Sequence, residues 1–201
     1  MTANWTLART TAPASNLPVS VSQVKSHLRL SPDDTTHDAE LQLLIEAATE
    51  RLEQDLDRQL MTASYKQTQF DWNVDDNLKG EVKLYKKQIT LIQSVKYYDE
   101  DGSQVTLTSS DYVFDLGRGS LFVDPGNEWP TVEPNNPDAV EVIFTAGYGT
   151  DAACIPRLMK TAILLCVGKW FFDPAQEGSA LHSQEVAYER VVSTLMRSSY
   201  P

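Results

Sequence analysis

Three histidines and two cysteines in 201 residues leave little material for metal binding or nucleophilic chemistry. Cys154 and Cys166 stand twelve residues apart in a stretch with helical spacing. That is neither a disulfide framework nor a zinc-ligand pattern, so both read as small core residues. His27, His37 and His182 are scattered, and no Ser or Cys in a nucleophile-elbow setting stands near any of them in sequence. Cations are scarce too: 17 Lys and Arg face 28 Asp and Glu, a net charge of -11. A protein that grips phosphates presents an excess of Lys and Arg on its contact face, so the composition argues against tight nucleic-acid binding. So acidic a surface keeps monomers soluble, and lining a channel it would repel DNA and prevent sticking. Long apolar runs are missing: no window approaches the roughly 18 consecutive apolar residues of a membrane span. No N-terminal stretch joins a basic start to an apolar run, so the chain reads as soluble and made in the cytoplasm. Glycine is sparse, and Gly117-Arg118-Gly119 and Gly147-Tyr148-Gly149 lack the further glycine or Lys-Ser/Thr pair of a phosphate-cradling loop. Both read as turns.

What is present is ordinary globular material, 41% hydrophobic and 22% charged, long enough to bury a real core in one compact unit. The first sixteen residues carry Pro, Ser and Thr without an apolar period and read as an arm that packs on something else or stays mobile. Ser20 can cap a short helix bearing Val21, Val24 and Leu28, stopped at Ser31-Pro32. Leu41, Leu44, Ile45, Ala48, Leu52 and Leu56 then follow the i, i+3, i+4, i+7 rule of an amphipathic helix. Its acidic residues, Glu40, Glu46, Glu50, Glu53 and Asp57, have no His or Cys among them and read as a solvated face rather than a metal site.

From about Met61 to Ala146 the text turns strand-like, rich in β-branched and aromatic residues, with Asp99-Glu100-Asp101-Gly102 and Gly117-Arg118-Gly119 as hairpin turns. The Pro-rich stretch 124–137 cannot enter a sheet interior and reads as an exposed excursion. Ile155-Pro156 opens an almost wholly apolar helix that runs to Trp170, and Val186, Ala187, Val191, Leu195 and Met196 mark a last one. These segments predict an α+β fold, mainly a helical bundle of about four helices with an inserted antiparallel β-hairpin or meander region. The expected organisation is an N-terminal arm over 1–16, a main domain over 17–174 whose helices flank a β-rich insertion at about 61–146, and a C-terminal helix and tail over 175–201.

Lys83, Lys86 and Lys87, with Lys66 and Lys96, form the one locally basic run, interleaved with Tyr85, Tyr97 and Tyr98. Such a run can touch DNA or an acidic neighbouring subunit. A solvated strand edge that discourages aggregation is the simpler account. No residue set reads as catalytic, cofactor-binding or metal-binding.

Four segments together resemble a known family: LPVSVSQVKSHLRL, ELQLLIEAATERLEQDLDRQL, IQSVKYYDEDG and VEVIFTAGYGTDAACIPRLMKTAILLCVGKWFF. They are similar to the bacteriophage head-tail connector, or head-completion adaptor, proteins, some of which are labelled DNA-packaging-like. In that family the long helix ends near a Thr-Gly-Arg type sequence; here Leu56-Asp57-Arg58-Gln59-Leu60 stands there without the glycine. The resemblance implies a structural virion protein of the neck, not an enzyme, with no cofactor. It implies a dodecameric ring of copies under the portal protein, which extends the DNA channel and receives a stopper or tail-completion protein. DNA would pass through without sequence-specific binding. Apolar groups near the termini, Trp5, Leu7 and Tyr200, join Lys83, Lys86 and Lys87 as candidate partner contacts, since ordering a terminus must be offset by burial. Two readings from other classes stand beside this one: a small phage-encoded hydrolase or nucleotide-handling enzyme, and a regulatory or scaffolding module that never enters a particle. A cleft holding His27 or His37 beside a carboxylate and a hydroxyl would favour the first.

Overall fold

A computed structural model describes residues 5–11, 16–72, 80–172 and 182–197. The chain divides into two compact units, one drawn from 14–61 and 148–201, the other from 1–13 and 62–147.

The first unit is helical: α1 (Val21–Leu28), α2 (Asp38–Leu56), a short 3-10 turn (Ala152–Cys154), α3 (Arg157–Phe172) and α4 (His182–Arg197). Ser20 caps α1 as the sequence predicts. Its hydroxyl accepts from the Gln23 amide at 3.2 Å while the Gln23 side chain accepts from the Ser20 amide at 3.0 Å, a reciprocal box. α2 turns Leu41, Ile45, Ala48, Leu52 and Leu56 inward, all nearly or fully buried. Its end needs no glycine. Asp57 takes the left-handed conformation (φ 50°), and Glu53 Oε1 accepts from the Leu60 amide at 2.8 Å and from Gln59 Nε2 at 2.6 Å, fastening the turn that follows. α3 contributes Met159, Ala162, Ile163, Cys166 and Val167 to the same core, and α4 contributes Tyr188, Val192 and Leu195. The periodicity read from sequence sets α4 slightly out of phase. Met196 is 59% exposed, and Tyr188 takes the inward place, its ring buried and its hydroxyl donating to Asp55 at 2.7 Å.

The second unit is all β. Strands β1 (Trp5–Arg9), β2 (Ala63–Gln69), β8 (Val140–Ala146), β4 (Ile89–Tyr98) and β5 (Gln104–Thr106) form, in that spatial order, an antiparallel five-stranded sheet. Strands β3 (Glu81–Lys83), β7 (Ser120–Val123) and β6 (Tyr112–Asp115) form a three-stranded one. β8 shows the period-2 rule: Val140, Val142, Phe144 and Ala146 are buried, while Glu141, Ile143 and Thr145 are half-buried. With Val82, Val95 and Leu121 they make a core separate in membership from that of the helices.

The expectation of a mainly helical bundle with an inserted hairpin or meander region is therefore corrected. Four α-helices are present among the described residues, but so are eight strands in two antiparallel sheets, with a hydrophobic core of their own. The physical reason is the pairing of segments distant in sequence. The last strand, β8, lies in the middle of its sheet, with Ala63 opposite Ala146 on one side and Tyr97 opposite Val140 on the other. Turn chemistry reports neighbours along the chain and carries no trace of such a partner. Residues read as part of an arm likewise add to the sheet, Trp5 pairing with Gln69 and Arg9 with Tyr65.

Gln67, fully buried in β2, ties the two sheets together. Its amide nitrogen donates to the Lys83 carbonyl at 2.9 Å, and its oxygen accepts from the Tyr85 amide at 2.9 Å, so the side chain does the work of a ladder residue. Replacing it by Leu takes this partner from a part-buried amide and carbonyl. Gln67→Leu is expected to lower the free energy of unfolding by about 1–3 kcal/mol, measured by denaturant titration. An unchanged midpoint would contradict the role given to this side chain.

Candidate functional site

The candidate contacts fall mainly on the β unit. The Trp5 ring stacks on Tyr85 with centroids 4.1 Å apart and planes 9° from parallel. Lys83 Nζ lies 5.9 Å from the centroid of the same Tyr85 ring. Trp5, Tyr85 and Lys83 thus form one surface group, held in place by the Gln67 bond to the Tyr85 amide. Leu7, half-buried, packs on the β core. Lys86 lies over the Tyr65 ring at 5.5 Å, and Lys87 is exposed. Tyr200 lies outside the described residues. Lys66 and Lys96, from the same basic run, converge on Glu141 at 3.2 and 4.0 Å, so their charge is partly neutralised within the sheet. The basic run is therefore split between an internally paired half and an aromatic-lysine group.

Among the described side chains, His27 and His37 do not assemble a catalytic site. His37 Nδ1 is 3.0 Å from Glu40 Oε2, one helical turn away and exposed, and no hydroxyl among the described residues hydrogen-bonds to it or to His27. Among the described residues no group of three or more His, Cys, Asp or Glu is placed to hold a metal ion. Gly117-Arg118-Gly119 is the β6–β7 turn. The Asp115 carboxylate accepts from the Gly117 and Arg118 amides at 2.9 and 3.1 Å, and Gly119 takes φ +66°, a conformation that costs a side-chain-bearing residue free energy. No described helix is long and apolar enough to cross a membrane.

Sequence reasoning missed a charged cluster that joins α2, α3 and α4. Arg51 donates to Glu185 at 2.6 Å and lies 3.7 Å from both Asp55 and Cys166 Sγ, with its guanidinium over the Tyr188 ring at 4.4 Å. Lys169 completes the group with a 2.8 Å bond to the other Glu185 oxygen. On the helix text Arg51 and Glu185 look like members of solvated faces. Their spacing to partners on other helices is a tertiary fact with no local signal. The Arg51 hydrogen bond, aided by Lys169, holds the Glu185 carboxyl below its ordinary range. Burial pushes the Cys166 thiol up to about 11, and burial followed by the bond to Asp55 pushes the Tyr188 phenol up as well. These shifts describe an interhelical clamp, with charges paired and the thiol neutral.

Residues 18–113 match the model of the phage gp6-like head-tail connector protein family, a stretch that runs from before α1 into β6. Over that stretch, a little under half of the chain, it is similar to the head-tail connector family, the family it resembles in sequence. Three solved structures share the fold over nearly the whole chain. A chain in the neck of an empty GTA particle computed with C6 symmetry superposes with a TM-score of 0.69 at 20% identity, covering 92% of this chain and 94% of that one. A chain in the neck of the native GTA particle computed with C12 symmetry gives 0.68, 20%, 92% and 94%. One from the virion of the native gene transfer agent particle gives 0.68, 19%, 92% and 93%. No curated protein matches the sequence.

Two measurements test the clamp. At neutral pH a maleimide probe is expected to label exposed Cys154 at least about a hundredfold faster than Cys166, because the thiolate is the reacting form and Cys166 is buried and neutral. Comparable rates would contradict the packing of α3. Glu185, with a lowered folded pKa, contributes stability that is fully present above the ordinary glutamate range and is lost as pH falls through the folded value. Glu185→Gln is expected to cost about 1.5–3 kcal/mol at pH 7, and the difference from the parent should shrink as acid protonates Glu185. A difference that stays constant down to acid pH would contradict the ion pairing.

Proposed function

We propose that this chain is a structural head-tail connector of a tailed particle, working as one copy in a ring beneath the portal, where it extends the DNA channel and joins the capsid to the tail. The observation that carries the reading is the coincidence of two independent likenesses: the family match over residues 18–113 and a shared fold over 92% of the chain with proteins of GTA necks. Assembly without catalysis is the mechanism. A ring closes when each copy presents two unlike surfaces related by a rotation. We take the ring to be a dodecamer, its upper partner the portal protein and its lower partner a stopper or tail-completion protein.

The net charge of -11 gives this arrangement a physical logic. DNA moving through a wall of like charge is repelled and does not stick, so passage needs no sequence-specific contact. The aromatic-lysine group of Trp5, Tyr85 and Lys83, together with Leu7, Lys86, Lys87 and the terminal Tyr200, supplies the surfaces for partners other than DNA. Stacked aromatics bury much area with little loss of side-chain freedom, which suits a contact made on docking.

An early stop codon in the gene, with a complemented control, tests the role by electron microscopy of lysates. Tail-less heads beside free, complete tails are the expected result. Normal tailed particles would overturn the reading.

A further inference from the structure

The five-stranded sheet leaves two unlike edges open, β1 on one side and β5 on the other. The alternation of its hydrogen bonds fixes which residues face outward there. The Thr10 amide donates inward to the Ser64 carbonyl, so along β1 the main-chain groups of Leu7 and Arg9 point away from the sheet. The Leu107 amide donates inward to the Val95 carbonyl, so along β5 those of Gln104 and Thr106 point away. β5 carries neither the lysine nor the proline that blunts an exposed edge.

Beside β5 lies a cavity of about 450 Å³ with Tyr97 and Trp129 as its aromatic wall, Asp111 and Glu128 as its charged groups, and no Lys, Arg or His in its lining. It touches both Val105 and Thr106, whose side chains point to opposite faces, so it reaches the edge of the strand. The Trp129 ring is held in place, stacked on Trp72 with centroids 4.4 Å apart and donating from Nε1 to the Gly80 carbonyl at 2.9 Å. Asp111 Oδ2 accepts from the Thr108 amide at 2.6 Å, yet neither Asp111 nor Glu128 has a cationic partner among the described residues. Arg9, exposed at the end of β1, has no carboxylate partner among them either.

Four antiparallel steps separate β1 from β5, so the two run in the same direction. Copies related by rotation about an axis along the strands keep that direction, and β1 of one copy then meets β5 of the next as a parallel pair. In such a pair a residue with outward main chain stands opposite one whose main chain points inward. The register that keeps apolar beside apolar sets Leu7 beside Val105 and Arg9 beside Leu107. The faces agree, because Leu7, Tyr97 and Leu107 all pack on the β core and Val105 stands opposite Tyr97. Arg9, the last residue of β1, therefore falls on the cavity side at the C-terminal end of β5, the end from which the chain runs on to Asp111.

We propose that the β5 edge is completed by β1 of a second copy of this chain, which continues the sheet from copy to copy and brings Arg9 into the cavity of Asp111, Glu128 and Trp129. The inference rests on the connector reading above and adds to it the surface, the register and the partner. Unlike edges joined head to tail close a ring, whereas β5 against β5 or β1 against β1 stops at a pair. A guanidinium suits the cavity, since it forks onto carboxylates and stacks on aromatic faces. An apolar or anionic occupant would leave two carboxylates desolvated without a counter-charge.

In this register Ala8 and Thr106 stand opposite one another on the other face, and both are exposed. Within one chain three strands lie between β1 and β5, about 19 Å at roughly 4.8 Å per step, too far for a disulfide. The test uses the full chain with Cys154→Ser, supplied in trans to particles whose own gene carries the stop codon. Oxidised tailed particles carrying Ala8→Cys and Thr106→Cys together are expected to give a ladder of covalent multimers beyond the dimer on a denaturing gel, and either cysteine alone only monomer. Arg9→Glu is expected to lower the yield of tailed particles at least about tenfold, and Glu128→Arg added to it to return the yield to within about threefold of the parent. Thermal melts of the purified variants, expected unchanged at these exposed positions, separate a broken contact from a broken fold; if the cysteines themselves prevent tailing, the charge pair decides. A double-cysteine chain that stays monomeric in tailed particles, a dimer from either cysteine alone, or an Arg9→Glu chain that assembles normally would overturn this contact and leave the connector reading standing. Tailed particles made with no copy of the chain at all would remove that reading itself.

Discussion

The pairing of β2 with β8 is the constraint on which the rest depends. It sets Ala63 opposite Ala146 and Gln69 opposite Val140, so the segment 62–147 begins and ends on adjacent strands. On the helical side of the same two chain crossings, the Tyr148 amide donates to the Leu60 carbonyl at 2.9 Å and Met61 bridges Gly149. A segment that leaves and returns at one place can be long without disturbing the element it interrupts, because the closure entropy of its loop grows only slowly with length. The helical core is therefore assembled from both ends of the sequence, α1 and α2 before the excursion and α3 and α4 after it.

Each unit then solves its own packing problem. The helices share an apolar core, and the Arg51 cluster adds direction to it: one guanidinium reaches α3 through Cys166 and α4 through Glu185 and Tyr188. Removing one member of such a cluster leaves its partner's charge half-buried without a counter-ion, which is why the pairs hold the three helices together. The β unit uses Gln67 for the same purpose, fixing the smaller sheet against the larger one through two backbone bonds. In both places a polar side chain, half-buried Arg51 in one and buried Gln67 in the other, ties together elements distant in sequence.

Much of this is legible in the sequence, and the illegible part has a common cause. The capping box at Ser20, the inward stripe from Leu41 to Leu56, the Asp-Gly and Gly-Arg-Gly turns and the apolar α3 are local features, and local text specifies them. The balance of helix and sheet is not local, because Val140–Ala146 gives no sign of lying between β2 and β4, nor Trp5–Arg9 of lying beside β2. The candidate surface is half legible: Trp5 and Lys83 stand out in the sequence, but nothing there shows that Tyr85 joins them. Arg51 escapes because on the helix text it reads as a solvated charge, and in the fold it is clamped.

The likeness to chains of GTA necks persists at about 20% identity over nearly the full length, so what is shared is the fold. A connector needs two complementary faces, a stable body and a surface that DNA does not adhere to, and none of these requires a reactive group. The most direct measurement is an electron cryomicroscopy map of the purified tailed particle that encodes this chain. The expected map shows a ring of density between portal and tail into which repeated copies of this two-unit fold fit side by side. A neck built wholly of other folds, with this chain missing from the particle, would contradict the connector role.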